Sequence, residues 1–216
     1  MIKQWNIHSG YDKDQAEYLQ VNCGVNPIVS ALLVQRGITT TDEVQAFFNP
    51  ELSMLHDPFL MKGMDLAVER ISEAISKNER ILVYGDYDVD GTTAVALLYS
   101  FLLQQTSNIG YYIPDRYKEG YGISTTGIDY AEQTGCTLII ALDCGIKSID
   151  KINYAKEKGI DFIICDHHLP GEHLPEALAV LDPKQHDCNY PYKELSGCAI
   201  GFKLAQAFCQ TQHIPF

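Results

Sequence analysis

From Arg80 onward the chain alternates short apolar runs with helical stretches of about ten residues, and this rhythm restricts its fold more than any other feature. The apolar runs predict strands at Ile81–Tyr84, Ile109–Ile113, Leu138–Leu142, Phe162–Cys165 and Leu178–Leu181. Helices are predicted at Thr92–Leu103, at Thr125–Gln133 behind a Ser124 cap, at Ser148–Lys158 and at Ala199–Cys209. Strands that alternate with helices imply right-handed βαβ units, so the expected fold class is α/β, a parallel sheet with helices on both faces. Residues 1–78 have a different rhythm and read as a small helical region. Asn26-Pro27 starts one helix, with Gly37 as its stop, and Thr40-Thr41-Asp42-Glu43 is a capping box for the next. Met64–Ile75 forms a third, with Leu66, Ala67, Val68, Ile71 and Ile75 on its buried side. The expected division is therefore a helical region over 1–78 and an α/β domain over 79–216.

In parallel sheets ligands bind beyond the carboxyl ends of the strands, and there the chain places its acids and two of its histidines. Asp86, Asp88 and Asp90 follow the first strand, Asp143 the third, and Asp166-His167-His168 the fourth. Carboxylates mixed with imidazole suit a divalent cation and hence phosphoryl chemistry. The mixture leans towards manganese, with magnesium as the alternative. In an extended turn, alternation would bring two or three of Asp86, Asp88 and Asp90 to one side before Gly91 turns the chain into a helix. Asp-rich turns also serve as plain helix caps, and for this cluster alone the two readings are evenly balanced. A phosphate-binding glycine loop is excluded, because neither G-x-x-x-x-G-K-S/T nor G-x-G-x-x-G occurs. The seven cysteines form no C-x-x-C pair, which argues against structural zinc and for buried, reduced thiols in a cytoplasmic protein. No apolar stretch reaches membrane-spanning length, and Met1–Trp5 does not begin a secretory signal. A net charge of −12 opposes a generally basic nucleic-acid clamp, so contact with a polyanion has to be local, through metals and a few basic side chains.

Gly85-Asp86-Tyr87-Asp88-Val89-Asp90-Gly91, Asp143-Cys144-Gly145 and Asp166-His167-His168 resemble successive motifs of the DHH phosphoesterase superfamily. Ile113–Gly122 and Glu194–Leu204 narrow the resemblance to its RecJ-type branch, exonucleases specific for single-stranded DNA, over roughly residues 25–210. Some other branches carry a histidine four residues before the first Asp of the D-x-D pair. Tyr84 stands there in this chain, which favours the RecJ-type branch over small pyrophosphatases and hydrolases of nanoRNA or cyclic dinucleotides.

The resemblance implies metal-dependent 5′-to-3′ hydrolysis of single-stranded DNA in repair or recombination. It implies two divalent cations held by Asp88, Asp90, Asp143 and His167, with Asp143 bridging and Asp86 beside them. His168 would face the scissile phosphate as a donor, and Asp166 would orient the imidazoles. Arg116 and Lys118 would meet a substrate phosphate, although loop residues of this kind are also ordinary surface charges. Backbone N–H groups from Gly197 to Ile200 would bind a further phosphate; equally, Gly197 would permit close helix packing. Single-strand-binding or other repair proteins are expected partners, and a membrane is not. The family has another metal-binding Asp on a later strand, and no acid follows Glu194 here. The chain is accordingly expected to be an N-terminal part, weakly active or inactive alone. Two rival readings remain: a phosphoesterase for short oligonucleotides, cyclic dinucleotides or pyrophosphate, and a non-catalytic scaffold.

Overall fold

The computed structural model describes residue 4 and residues 10–215, so Met1–Trp5, apart from Gln4, lies outside the described residues. Two compact units divide between Leu55 and His56. In the first, α1 (Lys13–Cys23), α2 (Pro27–Gln35) and α3 (Thr41–Phe48) each begin at a capping side chain, Asp12, Asn26 and Thr40. Glu43 completes the capping box by accepting the Thr40 N–H at 3.0 Å. Leu19, Leu33 and Val44 form the buried centre of this unit.

The second unit opens with a 3₁₀ turn at Pro58–Leu60 and α4 (Met64–Ser76). Five parallel strands follow: β1 (Arg80–Gly85), β2 (Ile109–Tyr112), β3 (Cys136–Leu142), β4 (Asp161–Cys165) and β5 (Ala179–Leu181). Their order is β2-β1-β3-β4-β5. Successive strand side chains point to opposite faces. Ile81, Val83, Leu138, Ile140, Leu142 and Ile163 accordingly pack against α4, α5 (Val89–Leu102) and α8 (Gly197–Gln212). Leu82, Tyr84, Ile139, Ala141, Phe162 and Ile164 pack against α6 (Thr125–Gln133) and α7 (Ile149–Glu157) on the other side. The α/β class and the helices on both faces are those expected.

Three details differ from expectation. The units divide at Leu55/His56 and not near residue 78, because α4 belongs to the core of the sheet. Met64, Ala67, Val68, Ile71 and Ala74 are buried there, and Arg70 binds Glu79 before β1 (2.6 Å) and Asp161 on β4 (2.7 Å). Leu66, expected on the buried side, is exposed. Third, α5 starts three residues earlier than predicted. Asp88 accepts the Gly91 N–H at 2.9 Å as N-cap, so Asp90 lies in the first helical turn and the extended Asp alternation is not realised. All seven cysteines are free, and five of them are buried. No helix among the described residues is long and apolar enough to cross a membrane.

Candidate metal centre

The strand order reverses direction between β1 and β3, and a crevice forms at such a switch point beyond the strand ends. Asp86 follows β1 there and Asp143 follows β3, while Asp166 follows β4 next door. Close approach is built into the backbone. A Cβ on Gly91 would stand 2.5 Å from the Asp86 carbonyl oxygen, so only glycine lets α5 begin this near β1. Asp143 has φ 60, a left-handed conformation of the kind Asp tolerates better than most residues.

Asp86 is fully buried; one oxygen accepts the Gly122 N–H at 3.2 Å, and the other has no partner among the described residues. Asp143 is also buried. His167 Nε2 lies 3.0 Å from its Oδ1 and 3.6 Å from Asp90 Oδ2. Asp143 Oδ1 nonetheless makes no hydrogen bond, so His167 approaches it without the alignment of a donor. Burial, and then the charges of Asp90, Asp88 and Asp166, push the Asp143 carboxyl up to about 8. Carboxylates crowded out of water with an unsatisfied oxygen each are a poor arrangement for a bare protein and a good one for a cation. Ligand atoms of Asp143, His167 and His168 all lie within 4.8 Å of one another. The donor set thus fits a divalent cation that accepts both oxygen and imidazole ligands, which manganese does.

Asp166 organises the histidines. Its Oδ1 accepts the backbone N–H of His167 (2.8 Å) and of His168 (3.2 Å), and lies 2.7 Å from His168 Nδ1. Its Oδ2 accepts the Ile146 N–H at 2.9 Å. With Nδ1–H donating to Asp166, the outer Nε2 of His168 faces Tyr121, whose hydroxyl is 3.1 Å away. Tyr121 stands edge-on to Tyr87, and Arg116 lies over the Tyr87 ring at 5.2 Å. Arg116 is thereby tied to the rim of the crevice. The Lys118 side chain is exposed and makes no hydrogen bond or ion pair among the described residues that would bring it there.

Of the two readings open for Gly197, a phosphate-binding helix start and close packing, the geometry favours packing. The Gly197 N–H donates to Asp90 Oδ2 and that of Cys198 to Asp90 Oδ1, both at 2.8 Å. Ala199 N–H is capped by Ser196, and Ile200 N–H bonds the Ser196 carbonyl. No donor of the first helical turn is left for a substrate phosphate. Glycine is needed for packing instead, since a Cβ would stand 2.5 Å from that of Asp143. The helix start holds Asp90 in the crevice, and its partial positive charge suits that carboxylate.

Sequence reasoning passed over Asp182, which directly follows β5 and repeats the strand-then-acid pattern of Asp86, Asp143 and Asp166. It is fully buried, Oδ1 accepts the Lys184 N–H at 2.7 Å, and Oδ2 has no partner among the described residues. Burial, with a further contribution from Asp166, pushes it up to about 7.

Comparison with known proteins adds an independent line. The sequence model of the family described as DHH family, N-terminal domain, matches residues 80–215. The single-stranded-DNA-specific exonuclease RecJ of Bacillus subtilis (strain 168) is 42% identical over 204 residues, covering 94% of this chain and 26% of that protein. The enzyme of the same name from Escherichia coli (strain K12) is 37% identical over 184 residues, 84% of this chain and 31% of its own length. The crystal structure of RecJ in complex with Mn2+ from Thermus thermophilus superposes with a TM-score of 0.74 at 26% identity. It covers 94% of this chain and 28% of that one. The chain therefore spans between a quarter and a third of the length of these relatives.

Proposed function

Since the chain belongs to the DHH family, we propose that it carries the cation-binding half of a 5′-to-3′ exonuclease that hydrolyses single-stranded DNA in cytoplasmic repair or recombination. The observation that carries this reading is the buried, unsatisfied Asp143 oxygen facing His167 and Asp90 at the switch point of the sheet. Asp88, Asp90, Asp143 and His167 would hold two divalent cations, manganese in preference to magnesium, with Asp86 alongside. Bound there, the cations supply Lewis acidity that activates water and neutralises charge on the phosphate and its leaving oxygen.

The chain's own groups do the rest. Asp166 holds His168 by Nδ1, so Nε2 is the nitrogen offered to the substrate. His168 would donate from Nε2 to a non-bridging phosphate oxygen, and the Tyr121 hydroxyl holds that ring edge in place beforehand. Arg116 at the rim meets a neighbouring phosphate with a planar pair of donors. Such local contacts reconcile an acidic chain with a polyanionic substrate. Single-strand-binding or other repair proteins are the partners this role calls for.

The test is Mn2+-dependent release of mononucleotides from a long 5′-phosphorylated single strand, set against hydrolysis of a dinucleotide. The intact protein containing these residues should degrade the long strand from its 5′ end, and the 216-residue chain should do so weakly or not at all. Preference for the dinucleotide would favour the short-substrate reading. Mn2+ binding that Asp143→Ala leaves intact would favour the scaffold.

A further inference from the structure

The connection between β2 and α6, residues 113–124, carries Arg116 and Tyr121 to the rim of the crevice but contains no helix or strand of its own. Gly120 and Gly122 stand on either side of Tyr121 at φ 83 and φ 80, with open space where a Cβ would be. Backbone of that kind keeps one course only where side chains hold it. We infer that Glu119, whose hydrogen-bond partners all lie within this segment and at its two ends, is a positioning residue that presents Arg116 to the substrate phosphate; the inference rests on the phosphodiesterase reading above.

Glu119 closes the segment on itself and on its supports. Its Oε1 accepts the Asp115 N–H at 2.8 Å, and its own N–H returns to the Asp115 carbonyl at 2.9 Å. Arg116 lies inside the turn that these two bonds close. The Asp115 side chain tightens the same turn by accepting the Tyr117 and Lys118 N–H groups at 2.9 and 3.1 Å. Glu119 Oε2 accepts the hydroxyls of Tyr112 at the end of β2 (2.9 Å) and of Ser124, the N-cap of α6 (2.5 Å). One carboxylate thus fastens the Arg116 turn to both elements that the segment joins. Burial raises the Glu119 carboxyl, but the bonds from Ser124, Asp115 and Tyr112 outweigh it and hold it below the usual carboxylate range, so all three are made to a charged acceptor. The Gly122 end is fastened separately. There the Tyr84 hydroxyl donates to the Gly122 carbonyl at 2.9 Å and accepts the Ser124 N–H at 3.0 Å. Loss of Glu119 therefore frees the Arg116 turn, while Gly122 keeps its bond to Asp86 and the cation ligands stay in place.

Steady-state hydrolysis of a 5′-phosphorylated single strand by the intact protein in Mn2+ tests this. Arg116→Ala should raise KM about ten-fold, the loss of one charge-assisted contact. Glu119→Ala should raise KM by about three- to ten-fold and change kcat by less than about two-fold, the pattern of a lost binding contact. A fall in kcat at unchanged KM, which is what a smaller folded fraction gives, overturns the inference, and so does no change in either. Glu119→Gln should restore KM, because its oxygen accepts the Asp115 N–H and its amide NH2 donates to both hydroxyls. The double variant Arg116→Ala/Glu119→Ala should match Arg116→Ala alone, since Glu119 acts through Arg116; a further rise in KM overturns the inference. If Glu119→Ala fails to fold, Tyr112→Phe carries the comparison. It keeps the ring stacked on Tyr84 at 5.5 Å and removes one bond to Glu119, so KM should rise, and an unchanged KM overturns the inference. Hydrolysis whose KM ignores Arg116→Ala removes the inference alone, whereas absence of Mn2+-dependent hydrolysis by the unsubstituted protein removes the phosphodiesterase reading with it.

Discussion

Replacing Gly197 with alanine should damage the centre more than its stability cost suggests. The new Cβ would meet the Asp143 Cβ at 2.5 Å, Oδ1 at 2.7 Å and Cα at 2.8 Å, and the Cβ and Cα cannot swing away as a side-chain end could. Ordinary contact begins at 3.4 Å, so the start of α8 has to retreat from Asp143 by about 0.9 Å, the difference between 3.4 and 2.5. Moving the Gly197 and Cys198 N–H groups that far stretches their 2.8 Å bonds to Asp90 to about 3.7 Å, past the range of a hydrogen bond. Overpacking of this kind costs ~1–3 kcal/mol, and the two charge-assisted bonds, discounted because Asp90 is partly exposed, add ~1–2 kcal/mol. A loss of about 3 kcal/mol lowers the melting temperature of a chain this size by about 6–12 °C. Asp90 released from the helix start should also weaken Mn2+ binding at least ten-fold. Thermal unfolding followed by circular dichroism and Mn2+ calorimetry measure both effects. Gly201→Ala in the same helix is the control. Its Cβ would meet only the Leu142 Cδ2 tip at 3.2 Å, and it should be close to neutral. If Gly197→Ala melts with the unsubstituted chain and binds Mn2+ equally well, the packing argument is wrong.

Two further substitutions test the electrostatics. The Asp143 carboxyl sits at about 8 in the folded chain, above its unfolded range. Its stabilising contribution is therefore complete below about pH 4 and lost as pH rises through about 8. In EDTA, Asp143→Asn should raise stability against urea near pH 8 by on the order of 2 kcal/mol and show little gain in acid. A gain that is independent of pH would contradict the crowding described around Asp143. Asp182 is raised to about 7, chiefly by burial. Asp182→Asn keeps an oxygen for the Lys184 N–H, so above pH 7 it should leave stability equal or higher and Mn2+ affinity unchanged; a Mn2+ affinity loss of about ten-fold would make Asp182 part of the centre.

The strands could be read from the chain because buried parallel strands are continuous apolar runs, and the convergence of Asp86, Asp143 and Asp166 followed from where parallel strands end. The points that escaped depend on partners remote in sequence. Asp90 meets Gly197 and Cys198 across more than a hundred residues, and no local pattern reveals that the N–H groups of α8 are already taken. An amphipathic face marks α4 as covered without saying that the sheet covers it. The Asp88–Val89–Asp90 stretch is locally ambiguous, since Asp alternation suits a turn and an N-cap equally, and the cap bond to Gly91 decides it. Asp182 stood in an ordinary Asp-Pro turn, where an acid draws no attention until its burial is seen.

Cation binding in the crevice between β1 and β3 underlies all of the proposed chemistry. Anomalous diffraction at the manganese edge from crystals grown with Mn2+ tests it most directly. A peak is expected within coordination distance of Asp143 and His167, lost on Asp143→Ala. A crystal with manganese bound elsewhere and that position empty would contradict it.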